Sequence, residues 1–592
     1  MSYAAEWGVC FAAPLRLLWV ALFAAATFAS PARAAEVVEC GALAPVAPGR
    51  ACAVTAGTDG QVLLQGDVLG DGTIYRGGGV LVDAVGEISC SGCGCSAPDA
   101  TVIRCPETVV SPGLINAWDH ITFSQNFPAP DTNERYEQRH DWRVGARGHS
   151  EINAAGGATA SQLLWGELRQ VVSGTTSGST SGGRLGLMRN LDNATNQGLG
   201  LPPHRRETFP LGDTSGTQLS SGCAYPDIDT STAVAAFPAY LPVIGEGIDA
   251  VARNELLCTS SDLSGGQDLV QAHTAIGKGL AYKTGDLELL AADGAGVIWS
   301  PRSNIRLYGE TARVSTASTL GVELAIGTDW IVSGSMNMLR ELACADAWNT
   351  AYLDDHFSQE RLWEMATKNA ASLTSTGSEI GTLAVGRVAD LAVFDTTVRS
   401  DYDAILKAQP SDVVLVMRGG RILFGEEQTI DEVPNTGSCD PIDVCGSDRA
   451  VCLVDDIGQT YAQLASANAS GYPLFFCGMP AEEPTCTPKR FVSVAGSTVY
   501  DGVPTAGDLD GDGLANASDN CPSVFNPIRP VDEGSQSDAD TDGLGDECDP
   551  TPVPEPAAGA SQLLVVGVGI AMLARRRFAV STANRSSRTR VD

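Results

Sequence analysis

Over residues 112–375 short apolar runs with strand character alternate with apolar residues at helical spacing. A pattern sustained over about 260 residues in this way belongs to an α/β chain whose strands are joined through helices. Ile248, Val251, Ala252 and Leu256 stand at i, i+3, i+4 and i+8 and mark one face of a helix. Ser358 is placed to cap a helix carrying Leu362, Met365 and Ala366. The alternation predicts a (β/α)8 TIM-like barrel. Strand runs lie on both sides of it: Val62-Leu63-Leu64 and residues 77–82 before, residues 389–394 and 413–417 after. Those two ends predict a flanking β-sandwich built from both.

A chain of 592 residues exceeds what one core usually holds. Its composition divides it into a signal segment at 1–34, sandwich strands at 35–111, the barrel at 112–375 and further sandwich strands at 376–428. A Cys-rich module follows at 429–499, an acidic Asp/Gly-rich module at 500–552 and a linker with a sorting or anchor segment at 553–592. The 38 Lys and Arg against 71 Asp and Glu give a formal net charge of −33. That balance repels phosphate backbones, so no nucleic-acid partner is expected, and it suits cation binding.

Arg16, the apolar run Leu17 to Ala29 and the small-residue site Ala32-Arg33-Ala34 read as a secretory signal, too short to span a bilayer. Removing Cys10 with it leaves sixteen of 17 cysteines, an even number suited to an oxidising compartment. Cys90, Cys93, Cys95 and Cys105 imitate a zinc site, but in an exported chain disulfides are the expectation, with connectivity open. At the other end Val553-Pro554-Glu555-Pro556, the apolar stretch Leu563 to Leu573 and Arg575-Arg576-Arg577 resemble a PEP-CTERM sorting tail. The resemblance implies export and processing at an envelope membrane, with the chain periplasmic or at the cell surface. A simple C-terminal anchor is the alternative, and the basic stop would stay cytoplasmic in either case.

Four segments together resemble the amidohydrolase superfamily, in its cyclic-amidine and aminohydrolase branch. Residues 109–120, ending Asn116-Ala117-Trp118-Asp119-His120, look like the first barrel strand; Pro242–Gly247 the fifth; Val270-Gln271-Ala272-His273 the sixth; and Leu324–Asp329 the eighth. The resemblance covers roughly residues 60–425. It implies a metal, Zn or Fe, held by His120, His273 and Asp329, with Asp329, His273 and Glu246 doing the chemistry on a metal-activated water. Two positions depart: Trp118 and Val243 stand where the family has ligating histidines, and neither side chain binds a metal. His140 and His149, on a following loop, are the candidates to compensate. His204 and His356 are read as surface or cap residues.

Asp508, Asp510, Asp512 with Gly513 and Asp519 repeat as Asp538, Asp540, Asp542 with Gly543, Asp546 and Asp549. Oxygens at these intervals, with Gly at the tight turn, wrap a chain around Ca²⁺. Cys521-Pro522 and Asn526-Pro527 exclude a regular helix after the first loop. With Gly545–Pro550 they resemble thrombospondin type 3 repeats, which implies calcium binding and a disulfide between Cys521 and Cys548. The expected role is a stiff stalk.

Two functions are compatible with these readings. One is hydrolysis of a non-peptide carbon–nitrogen bond in a small molecule, a cyclic amide, amidine or aminated heterocycle. The other is a metal-depleted pseudoenzyme acting as a calcium-stabilised envelope binding protein.

Overall fold

The computed structural model describes residues 35–260 and 264–554. The signal segment and nearly all of the sorting tail lie outside them. Among the described residues no helix is long and apolar enough to cross a membrane.

Six strands precede the barrel: β1 (Glu36–Glu39), β2 (Ala53–Thr55), β3 (Val62–Leu69), β4 (Thr73–Val82), β5 (Ile88–Gly92) and β6 (Thr101–Pro112). Eight short strands follow: β7 (Leu114–Asn116), β8 (Thr175–Gly178), β9 (Arg189–Asn190), β10 (Arg205–Glu207), β11 (Tyr240–Ile244), β12 (Ala275–Lys278), β13 (Gly296–Trp299) and β14 (Leu324–Ile326). Then come β15 (Leu391–Asp395), β16 (Val413–Arg418), β17 (Arg421–Glu426), β18 (Asp440–Val444) and β19 (Ser447–Val451).

The middle eight form the barrel. Parallel ladders join β7 to β8 to β9 and β10 through β14 in sequence order. The ring closes where the Ala117 amide donates to the Ile326 carbonyl at 3.1 Å and the Asp329 amide to Trp118 at 2.9 Å. Among the described residues no ladder joins β9 to β10; β10 is tied instead to the end of β8, where Ser179 Oγ lies 2.9 Å from His204 Nε2 and Arg206 donates to the Ser179 carbonyl. His204 is therefore buried in the barrel wall, a correction to its reading as a surface residue. Strand alternation separates two cores. Ile115, Leu241, Val243, Ala275, Ile298 and Ala325 fill the interior, while Ile244, Ile276, Val297, Leu324 and Ile326 face the helices.

The helices obey their local signals. Asp249 caps the helix Ala250–Thr259, accepting the Ala252 amide at 2.9 Å, and Ile248, Ala252 and Leu256 are buried on its inner face. Ser358 caps Gln359–Met365 by accepting the Arg361 amide, as its position predicts.

The first and last strands share one eleven-stranded sheet, joined where β6 pairs antiparallel with β15, Val110 opposite Val393. Val110, Leu64 and Val80 from the first part bury against Val393, Leu415 and Met417 from the second. Val109–Pro112, taken above with the first barrel strand, belongs to this sheet; the barrel strand starts at Leu114. The Cys-rich region is continuous with it as well, since β18 and β19 extend the sheet beyond β17. Eight disulfides use all sixteen cysteines after Cys10. Cys90 pairs with Cys95, Cys93 with Cys40, Cys105 with Cys52, and Cys521 with Cys548.

The acidic module is no stalk. Arg313, in the barrel, pairs with Asp532 and Glu547 at 2.8 Å, and the Phe525 amide donates to Tyr352 at 2.9 Å. Buried guanidinium–carboxylate pairs and main-chain hydrogen bonds of this kind fasten residues 490–549 to the barrel, where a stalk would stand in solvent.

Candidate active site

The C-terminal ends of the barrel strands open into a cavity of about 380 Å³. Its floor carries His120, Val243, Glu246, Lys278 and Asp329, and its walls carry Phe123, Trp142, Phe209 and Trp330. Phe123 and Trp142 each lie 5.4 Å from the Trp330 ring, giving the mouth an aromatic rim suited to a flat ligand.

Asp329 leaves β14 through Gly327 and Thr328. A side chain at Gly327 would come within 2.6 Å of the Trp118 amide, so only glycine permits the ring to close here. Asp329 has φ 65°, and its carboxylate turns inward. Oδ2 accepts from Ser303 Oγ at 2.6 Å and lies 2.5 Å from Lys278 Nζ; Oδ1 lies 3.9 Å from His120 Nε2. Lys278 ends β12 with φ 82°, a backbone that bulky residues avoid. The residue is 2% exposed. Beyond Asp329, its ammonium has no hydrogen-bond partner among the described residues.

Glu246 follows β11, and Tyr308 donates to its Oε1 at 3.0 Å. Burial, with the Asp329 charge nearby, raises its pKa against the opposing pull of Lys278. His120 is driven the other way. Burial and the positive charges of Arg206 and Lys278 hold its pKa well below the usual imidazole range, leaving it neutral. The Arg206 guanidinium stacks 3.7 Å from the centroid of the buried Trp118 ring, and burial lowers its pKa to about 10. Asp119 points away from the cavity into hydrogen bonds from Asn116 and Gln170, and burial pushes its carboxyl up to about 7.

His120, Glu246 and Asp329 thus converge on one cavity. His273 does not join them, which corrects its place in the expected ligand and catalytic sets. Its carbonyl accepts from the Tyr240 amide, at the start of β11, and its Nε2 lies 3.3 Å from the Val234 carbonyl. The sixth strand is Ala275–Lys278 rather than residues 270–273, and the side chain it delivers to the mouth is Lys278. The Lys at the end of Ala275-Ile276-Gly277 was the signal that sequence reasoning passed over. His140 and His149 do not compensate. His140 Nε2 pairs with Asp213 at 2.7 Å and its Nδ1 accepts from Arg143, while both nitrogens of His149 pair with Glu134 and Glu137.

A catalytic zinc or iron needs about three protein ligands with free lone pairs. At this mouth Trp118 and Val243 offer none. The Lys278 ammonium already sits on Asp329, and only His120 keeps an imidazole within reach. The residues present do not fit the ion. Among the described residues three other groups bring ligand atoms together: Glu137, Asp141 and His149 near the rim; Asp508, Asp510 and Asp512; and Asp538, Asp540 and Asp542. In the first, Arg490 pairs with Glu137 and Arg147 with Asp141, so its charge is matched by the protein itself.

Residues 248–423 match the model of the amidohydrolase family. A 5-methylthioadenosine/S-adenosylhomocysteine deaminase of Syntrophobacter fumaroxidans is 35% identical over 179 residues, 28% of this chain and 41% of that protein. Its counterpart in Acetivibrio thermocellus is 32% identical over 160 residues, 25% and 37%. The chain thus spans about two fifths of the length of these curated relatives. Among solved structures, a zinc-bound adenosine deaminase from Xanthomonas campestris is 17% identical with a TM-score of 0.43, covering 61% of this chain and 92% of that one. An atrazine chlorohydrolase from Arthrobacter aurescens complexed with zinc is 16% identical with a TM-score of 0.44, covering 64% and 97%.

Proposed function

We propose that the barrel mouth hydrolyses a non-peptide carbon–nitrogen bond of a small, flat substrate, a cyclic amide, amidine or aminated heterocycle, using its own side chains rather than a transition metal. The family match and the deaminase relatives support hydrolysis at carbon–nitrogen bonds. The observation that carries the reading is the convergence of a buried Glu246 with a raised pKa, a His120 held well below the usual imidazole range and the Lys278–Asp329 ion pair on one aromatic-rimmed cavity.

In this reading His120 Nε2 accepts a proton from water as the water oxygen bonds to the substrate's sp² carbon. The Lys278 ammonium stabilises the negative charge that develops on the heteroatom of that carbon. Asp329 and Ser303 fix the ammonium's position. Glu246, aligned by Tyr308, gives its proton to the leaving nitrogen as the carbon–nitrogen bond breaks. Transfer of the His120 proton back to Glu246 restores the site, and the net change is addition of one water across the bond. The test is turnover of a panel of cyclic amides and aminopurines, read as ammonia release or ring opening, in the presence of a zinc chelator. Turnover that survives the chelator and is lost in E246Q supports the reading; turnover abolished by the chelator contradicts it.

The same reading places the chain outside the cytoplasm, anchored or sorted by its C-terminal segment, with calcium in the two aspartate loops. The sixteen paired cysteines support export. Alkylation mass spectrometry on the intact protein, showing free thiols at these positions in cells, would contradict it.

A further inference from the structure

The acidic module lies on the loops that carry the reacting groups, and its contacts reach the ends of three consecutive strands. Arg529 Nη1 donates to the Leu280 carbonyl at 2.8 Å, two residues after Lys278, and Nη2 to Thr311 at 3.0 Å, while Nε pairs with Glu310 at 2.6 Å. The Val531 amide donates to the Ile248 carbonyl at 3.1 Å, two residues after Glu246. Arg490 Nη1 donates to the carbonyls of Tyr136 and Tyr308 at 3.2 Å, and Tyr308 is the residue that aligns Glu246. Arg490 and Arg529 are both almost wholly buried.

This fastening segment is held between the two aspartate loops. Tyr500 exchanges main-chain hydrogen bonds with Arg490, and the loop at Gly513 packs directly on Val499 and Tyr500. Gln536 bridges Asp519 to Asn526 at 2.8 Å. The second loop is tied to the barrel through Asp546, whose carboxylate accepts from Thr284 and whose carbonyl accepts from Thr316 at 3.1 Å. The Cys521–Cys548 disulfide joins the loops.

Every buried arginine of this interface has a carboxylate, whereas among the described residues no ion pair reaches Asp508, Asp510, Asp512, Asp538, Asp540, Asp542 or Asp549. Asp510 is 1% exposed and Asp549 4%, and one carboxylate oxygen of each makes no hydrogen bond among the described residues. Burying such oxygens unmatched is costly. A hard cation taking several oxygens supplies the missing charge.

We infer that calcium in the two loops braces the barrel mouth: the cation fixes residues 520–537, and these fix the turns after Glu246, Lys278 and Tyr308. The inference rests on the calcium reading of the loops and is independent of the hydrolytic one. The module is then a structural part of the active face, and calcium controls the order of the groups that line the cavity.

Hydrogen exchange of the full chain in calcium and in EGTA, with calcium binding followed separately by titration calorimetry, tests this. At calcium a hundred times its dissociation constant, linkage predicts amide exchange in 246–250, 278–283 and 308–313 slowed about a hundredfold relative to EGTA. R529A is expected to bind calcium while those amides lose most of their dependence on it. Calcium binding with exchange at the mouth unchanged in the wild type would overturn the brace and leave the loops as calcium sites. No calcium binding would overturn both. D510N separates a general folding defect from the brace: it is expected to weaken calcium binding while the eleven-stranded sheet keeps its protection.

Discussion

Lys278 Nζ lies 2.5 Å from Asp329 Oδ2, and both residues hold left-handed backbone at the ends of barrel strands, φ 82° and 65°. Such conformations cost on the order of 1–3 kcal/mol each and persist where surrounding structure enforces them, commonly at functional sites. Here they turn two opposite charges toward each other at the cavity floor. Removing one partner of a buried pair leaves the other uncompensated. K278M is therefore expected to lower stability by about 3–5 kcal/mol, and adding D329N should recover a large part of the loss. Urea denaturation of the two variants checks this; a K278M protein as stable as wild type would refute the pairing.

The pH profile of turnover should be asymmetric. His120 is held well below its ordinary pKa, so it stays a base, and activity should persist into acid well below the usual imidazole range. Glu246 is raised, so the rate should fall as pH rises through its elevated pKa and the acid loses its proton. A rate that instead climbs with pH through the neutral range would contradict the assignment of Glu246 as acid.

Burial alone lifts Glu167 to about 7, against 4.5 unperturbed. A carboxyl raised in the fold contributes stability fully present below its unfolded pKa and lost as pH rises through the folded one. Glu167 should thus cost the protein up to roughly 3 kcal/mol between pH 4.5 and pH 8. E167Q, neutral throughout, should flatten that part of the pH dependence, as measured by denaturation at pH 5 and pH 8. An unchanged slope would show that Glu167 does not titrate in this interval.

His273 stands at the far end of its strand from the cavity. H273A should leave turnover and its pH profile within about twofold of wild type, since surface and near-surface changes distant from the chemistry act mainly on stability. A collapse of turnover in a folded H273A protein would return this residue to the site.

The contrast between His273 and Lys278 shows what the sequence could convey. Apolar alternation located the barrel and the sheet shared by both ends, because burial of one face dictates residue type at every second position. Glu246, Asp329 and His120 were legible through the resemblance of their segments to amidohydrolase motifs, each at or just after an apolar strand run. Around 270–278 the signal failed. Leu269 and Val270 are buried in an irregular segment before the strand, while the true strand includes Gly277 and ends on a charge. The five-residue offset moves the side chain from one end of the barrel to the other, about 16 Å along an extended strand. The aspartate spacing gave the loops but no sign of their seat on the barrel, because Arg313, Arg490 and Arg529 meet their partners from distant parts of the chain.

The account turns on a barrel mouth whose charge is balanced by an ammonium instead of a metal ion. Elemental analysis of the purified protein after exposure to zinc and removal of loosely held metal tests it most directly. The wild type should retain no stoichiometric zinc or iron, and the triple variant W118H/V243H/K278H should gain a zinc site. One tightly held zinc per chain in the wild type, released by H120A or D329N, would contradict it.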